Sequence, residues 1–157
     1  MSDEKHEKDP ELAALEAELA AAQAEERAVQ EKIARDKRKR ELSAEVERTK
    51  RAAVEAQALE EAEQKYGPLG TKIRRIDTLE GMVIVKQPER LLFKRFQELD
   101  PKAINAAETR KLVRPSVVYP TLECFDAMIE ERPGILGECA IAVCELGGMK
   151  VRELSGK

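Results

Sequence analysis

Tyr66-Gly67-Pro68-Leu69-Gly70 is the stretch on which this sequence turns, because composition changes across it. Before it there is no Phe or Trp, and Ala, Glu, Lys, Arg and Gln dominate, the composition of a long helix or coiled coil. After it come all three Phe and all three Cys of the 157 residues, with most of the Val and Ile. Only that second part holds enough large apolar side chains to bury a modest core. The reading is a mainly α protein: a long, charged N-terminal helix or coiled coil, then a small helical domain with a short β-hairpin. Its expected parts are a disordered tail over 1–9, the long helix over 10–66, a linker over 67–71, the domain over 72–150 and a tail over 151–157.

Working back from the break, no Pro or Gly occurs until Asp9-Pro10-Glu11. That triplet is a helix start: the Asp9 carboxylate can accept from free backbone N–H groups, and Pro10 lacks an N–H that would have gone unpaired at the first helical position. Gly67-Pro68 supplies the stop. One helix over 10–66 would reach about 85 Å at ~1.5 Å per residue. Heptad spacing puts Leu12, Leu15, Leu19, Ala22, Val29 and Ile33 on one seam, with Glu26 as a polar interruption. The same register then carries Asp36, Arg40, Ser43, Glu47 and Lys50, while Leu42, Val46, Ala53 and Ala56 follow a shifted face. A partner-binding seam is therefore expected over 12–33, with a hinge or a single solvated helix over 34–41, and homo-oligomerisation through this helix is one outcome it allows.

Working forward, Met82-Val-Ile-Val-Lys86 is short and β-branched, Glu80-Gly81 can turn, and Ile73–Thr78 is the expected antiparallel partner. Pro88 opens an amphipathic helix to about Leu99, with Leu92, Phe96 and Leu99 on one face. Asp100-Pro101 repeats the cap-then-proline start and predicts a helix reaching about Arg114. Ser116-Val-Val-Tyr119, between Pro115 and Pro120, is compatible with an extended segment or a short kinked helix. Thr121 caps a further helix ended by Arg132-Pro133-Gly134, and 135–146 form the last, closed by Gly147-Gly148. Phe93, Phe96, Phe125 and Ile129 are expected in the core. Tyr119 and Met128, with Met149, are candidates for lining a surface groove.

Charge argues against a basic nucleic-acid-binding body. Residues 1–66 hold 13 Lys and Arg against 18 Asp and Glu, a net of −5, and residues 67–157 hold 15 against 13, a net of +2. One run stands out: Arg35-Asp36-Lys37-Arg38-Lys39-Arg40 has five cations in six residues, with Arg38 and Arg40 as candidates to contact phosphates or an acidic partner. It has no aromatic interleaving, so it reads first as a solvated stretch of helix and nucleic acid is not the expected partner. Cys124, Cys139 and Cys144 match neither a zinc knuckle nor a redox pair and are expected as small buried hydrophobes in a reducing compartment. His6, the single histidine, has no ligand pattern around it, and no nucleotide, nucleophile-elbow or zinc-protease motif occurs. No enzyme activity, cofactor or metal is expected. The first residues are charged and do not read as a secretory signal, and no run approaches the ~20 apolar residues of a membrane span, so the expected location is the cytoplasm.

A resemblance narrows the function. Gly81-Met-Val-Ile-Val-Lys-Gln-Pro-Glu-Arg-Leu-Leu-Phe-Lys-Arg-Phe96, then Leu112-Val-Arg-Pro-Ser-Val-Val-Tyr-Pro-Thr121, then Phe125-Asp-Ala-Met-Ile-Glu-Glu-Arg-Pro-Gly134, resembles the small tail assembly chaperones of long-tailed bacteriophages. In those proteins a short strand runs through a proline into a helix carrying Lys-Arg-Phe, and a Val-Val-Tyr-Pro segment and a Pro-Gly break lead to a final small-residue helix. The resemblance covers about residues 72–150. It implies a non-enzymatic virion assembly factor in the host cytoplasm, one that binds the tape measure protein, keeps its helices soluble and recruits tail tube subunits. The helix over 10–66 departs from that compact pattern, so a coiled-coil adaptor or scaffold retained in the particle stands beside it as the alternative, and a nucleic-acid-binding module using 35–40 as a second.

Overall fold

The computed structural model describes residues 9–150. Of the expected tails over 1–9 and 151–157, residues 1–8, His6 among them, and 151–157 lie outside the described residues. The protein is mainly helical with a small antiparallel sheet. Helix α1 spans Pro10–Tyr66, both ends falling where the sequence punctuates it. At the start, the Glu11 N–H donates to Asp9 Oδ1 at 3.0 Å and the Ala13 N–H donates to the Asp9 carbonyl at 3.0 Å. At the end, the Gly67 N–H closes onto the Glu63 carbonyl at 3.0 Å, and the chain leaves through φ +120°. A Cβ at Gly67 would lie 2.6 Å from Lys72 Cγ, so both backbone and space require glycine there.

The chain divides into two compact units, Met1–Arg51 and Ala52–Lys157. In the first, α1 is the described element, and from Pro10 to Arg51 only Asp36 is even half-buried. The second contains the last turns of α1 and everything after it. Its sheet has the order β1 (Ile73–Thr78), β2 (Gly81–Lys86), β3 (Val117–Tyr119), all antiparallel. The β1–β2 register runs from Ile73 opposite Lys86 to Thr78 opposite Gly81. The turn is Leu79-Glu80, one residue earlier than expected, and the Thr78 hydroxyl ties it by donating to the Gly81 carbonyl at 2.6 Å and accepting from the Glu80 N–H at 3.1 Å.

Strand β2 lies in the middle of the sheet, and Met82, Val83, Ile84 and Val85 are all buried. Because successive side chains alternate, Val83 and Val85 enter one core and Met82 and Ile84 another. The second core is closed by Ile73 and by α1 itself, through Ala58, Leu59, Ala62 and Tyr66. Glu55 adds a polar tie, its Oε1 accepting from the Met82 N–H at 3.2 Å. Lys86 Nζ stands 4.9 Å from the centre of the Tyr66 ring.

The larger core faces the helices α2 (Arg90–Glu98), α3 (Ala106–Val113), α4 (Leu122–Glu131) and α5 (Gly134–Leu146). Phe96, Phe125 and Ile129 are buried in it as expected, and Phe93 packs half-buried at its margin. One element differs from the sequence reading, and another takes one of the two forms that reading allowed. The helix expected over 100–114 is broken: Asp100 caps only a 3-10 turn, Pro101–Ala103, and the extended backbone of Ile104 and Asn105 separates it from α3. Asn105 recaps there, its Oδ1 accepting from the Glu108 N–H at 3.0 Å, so a second good cap wins over continuation. The segment between the prolines is β3, a third strand beside the expected hairpin, and the Tyr119–Pro120 peptide bond is cis. No helix among the described residues is long and apolar enough to cross a membrane.

Candidate functional site

The seam of α1 is a row of apolar side chains in water. Leu12, Leu15, Leu19, Val29 and Ile33 each keep 51–62% of their surface exposed. Burying one such side chain is worth about 1.5–3 kcal/mol, so a row of five is a substantial unused driving force. Scattered exposed apolar residues need no account, but a row at heptad spacing, broken only at Glu26, does. Beyond Ile33 the apolar residues change face, so the whole helix presents no single apolar side. Leu42 and Val46 are exposed on the shifted face, and Val54 is exposed beside it. Arg38 and Arg40 are exposed in the midst of the basic run, on an uninterrupted stretch of helix where a hinge was one of two expectations.

The other two candidates are placed differently from each other. Tyr119 is half-buried at the end of β3, where with Val118, Ala58, Ala62 and Tyr66 it lines a cavity of about 240 Å³. Met128 is 6% exposed and packs inside the larger core, so it lines no surface groove, and Met149 packs half-buried against the same core. The structure thus brings Tyr119 and Met128 to different cores.

Sequence reasoning missed a groove on α2 and α3. Two adjoining hollows, about 450 Å³ and about 770 Å³, share Leu92 and Lys111. Leu99, Phe96 and Leu112 floor the first, and Ala107, Pro115 and Leu122 the second. Arg110, Lys111 and Arg114 rim the second with no carboxylate among its lining residues, while Glu98 and Glu108 belong to the first. Two of these cations are engaged nearby: Lys111 with Glu108 at 3.0 Å and Arg114 with Asp126 at 3.2 Å. The available signal was Leu92 on the face of α2 combined with the clustered bases ending α3, but only packing sets the two side by side.

Cysteine chemistry divides by depth. Cys139 and Cys144 are fully buried on α5, and burial pushes their thiols up, to about 12 and about 11, with Glu138 adding to the first. Thiols held that high are protonated at neutral pH and are poor nucleophiles. Cys124 is exposed on α4, which corrects the expectation that all three are buried. Among the described residues no three His, Cys, Asp or Glu are grouped so as to hold a metal ion. Comparison with protein-family models, with curated proteins and with solved structures found no match.

Proposed function

We propose that this chain is an assembly protein that acts by binding a helical protein partner, without chemistry of its own. The observation that supports the reading is the uncovered heptad seam of α1, an apolar row on a helix whose other faces are charged. The basic-rimmed groove on α2 and α3 offers a second place for a protein segment. Within that class, the resemblance over residues 72–150 favours a phage tail assembly chaperone working in the host cytoplasm, with the tape measure protein and tail tube subunits as partners.

The test is co-purification of tape measure and tube proteins with the intact chain and with the Leu15→Asp, Leu19→Asp variant. Two carboxylates in the seam remove several kcal/mol of burial, at about 1.5–3 kcal/mol per Leu, so the variant should recover neither partner. Equal recovery by both proteins would sink the seam as the binding surface. The long α1 helix favours one second reading, a coiled-coil adaptor retained in the particle. Purified mature virions separate the two: a chaperone is missing from them, an adaptor is present at fixed copy number.

A further inference from the structure

The residues beside the seam specify what can cover it. Leu12, Leu19, Glu26 and Ile33 occupy the a positions of the heptad, and Leu15, Ala22 and Val29 the d positions. The flanking g positions are Glu11, Glu18, Glu25 and Lys32, and Glu16, Gln23 and Gln30 lie at e on the other side. Over residues 10–33 there are six carboxylates and two cations, a net of −4.

This pattern opposes pairing with itself. A parallel pair of identical helices sets each a residue against its own copy, so Glu26 would meet Glu26 in an apolar layer. Two carboxylates brought together away from water each lose hydration and gain repulsion. The g positions of one helix would meet the e positions of the other, Glu11 against Glu16, Glu18 against Gln23 and Glu25 against Gln30, with no attraction in return. An antiparallel pair in near-complete overlap sets Glu18 against Glu25 and Glu11 against Lys32, so repulsion and attraction cancel at the flanks, and each Glu26 faces Leu15 with no counter-charge in an apolar layer. The seam is apolar enough to require cover, and its own copy answers Glu26 with repulsion in the parallel pair and with no counter-charge in the antiparallel one, so neither pairing rewards self-association as an opposite charge would.

Resting on the reading of α1 as an association surface, we propose that residues 12–33 dock a helix of a partner protein with the opposite character. Its apolar seam is flanked by Lys and Arg, and it places one cation in the core layer of Glu26. The cation turns the Glu26 layer from a liability into a register mark, because sliding the partner by one heptad leaves both charges unpaired among apolar residues.

The test uses the full chain and two designed helical peptides that share one Leu and Ile seam. One carries Lys at its flanks and opposite Glu26, and the other carries Glu at the same places. In calorimetric titration the basic peptide should bind at least about 100-fold more tightly than the acidic one, the difference expected of several opposed charge pairs and one buried pair. Its affinity should fall as salt rises and vanish in the Leu15→Asp, Leu19→Asp variant. The Glu18→Lys, Glu25→Lys, Glu26→Lys variant, altered only on an exposed helix, should reverse the preference. Sedimentation of the intact chain alone should give a monomer. Self-association abolished by Leu15→Asp, Leu19→Asp would keep the seam as an interface and overturn the proposed partner, as would equal binding of the two peptides. Binding of neither peptide without self-association would take down the association reading along with the inference.

Discussion

Cys139 and Cys144 sit on the buried side of α5 and Cys124 on the open side of α4, so the three thiols report the fold from two sides of its surface. A thiol reagent should modify the native protein at one position, Cys124, and reach the other two only on unfolding, as mass spectrometry would show. The raised thiols also set a direction for alkaline stability. Below about pH 9 all are neutral in both states and contribute no pH dependence; above it, the unfolded chain ionises while the folded chain holds its buried thiols neutral up to about 11 and 12. Stability should therefore fall as pH rises from 9 towards 11, and more steeply than in the Cys139→Ala, Cys144→Ala variant, measured by thermal unfolding. Equal slopes would mean that these thiols are not held neutral. Phe125, fully buried where α4 meets the larger core, should cost about 3–5 kcal/mol as Phe125→Ala in denaturant unfolding. That Phe125 is core was legible from its spacing with Ile129. The exposure of Cys124 was not, since Cys124 stands four residues before buried Met128, the spacing of one helix face, and only the packing leaves it open.

At the level of elements, legibility followed how local the signal is. The ends of α1 are written in Asp9-Pro10 and Gly67-Pro68, and the structure uses both. The β1–β2 hairpin is likewise a matter of adjacent residues. Strand β3 is not: three residues between two prolines become a strand only because the edge of β2 lies alongside, pairing Ile84 with Tyr119 and Val85 with Val117. The broken helix over 100–114 came from two competing caps, and sequence alone does not rank Asp100 against Asn105. The structure makes Asn105 the cap of α3 and Thr121, whose Oγ1 accepts from the Cys124 N–H at 3.3 Å, the cap of α4. Asn105→Ala and Thr121→Ala should each lose about 1 kcal/mol, read as a shift in the denaturation midpoint at unchanged slope.

For the molecule as a whole, the change in composition and the boundary of packing fall at different places. Composition changes at 66–70, but the compact second unit begins at Ala52, because Ala58, Leu59, Ala62 and Tyr66 cover the face of the sheet that holds Ile73, Met82 and Ile84. A helix that is mostly Ala, Glu and Gln near that end gives no hint of this, since small residues pack closely without looking like a core. A fragment of residues 52–157 should unfold cooperatively near the stability of the intact protein. A fragment of residues 70–157 exposes three large apolar side chains, at about 1.5–3 kcal/mol each, and should be several kcal/mol weaker or fail to fold. Equal stability of the two would remove α1 from the core. The candidate surfaces divide in the same way. The seam over 12–33 is a pattern within one helix and could be read directly, whereas the groove on α2 and α3 exists only once Leu92 and Lys111 are neighbours.

The openness of α1 up to Arg51 also has a meaning in time. Backbone hydrogen bonds there are sheltered by no buried side chain, and an unsupported helix opens and recloses on a scale of about 0.1–1 μs. Its amides should exchange with deuterated solvent by local opening, long before those of Val83, Val85, Val143 and Cys144, which wait for the unfolding of the whole second unit. Trypsin should meet the same hierarchy, cutting first among the Lys and Arg of residues 27–51 and sparing the compact unit that follows. A partner seated on the seam would slow both clocks over 12–33, so protection gained there maps the footprint of whatever this helix holds.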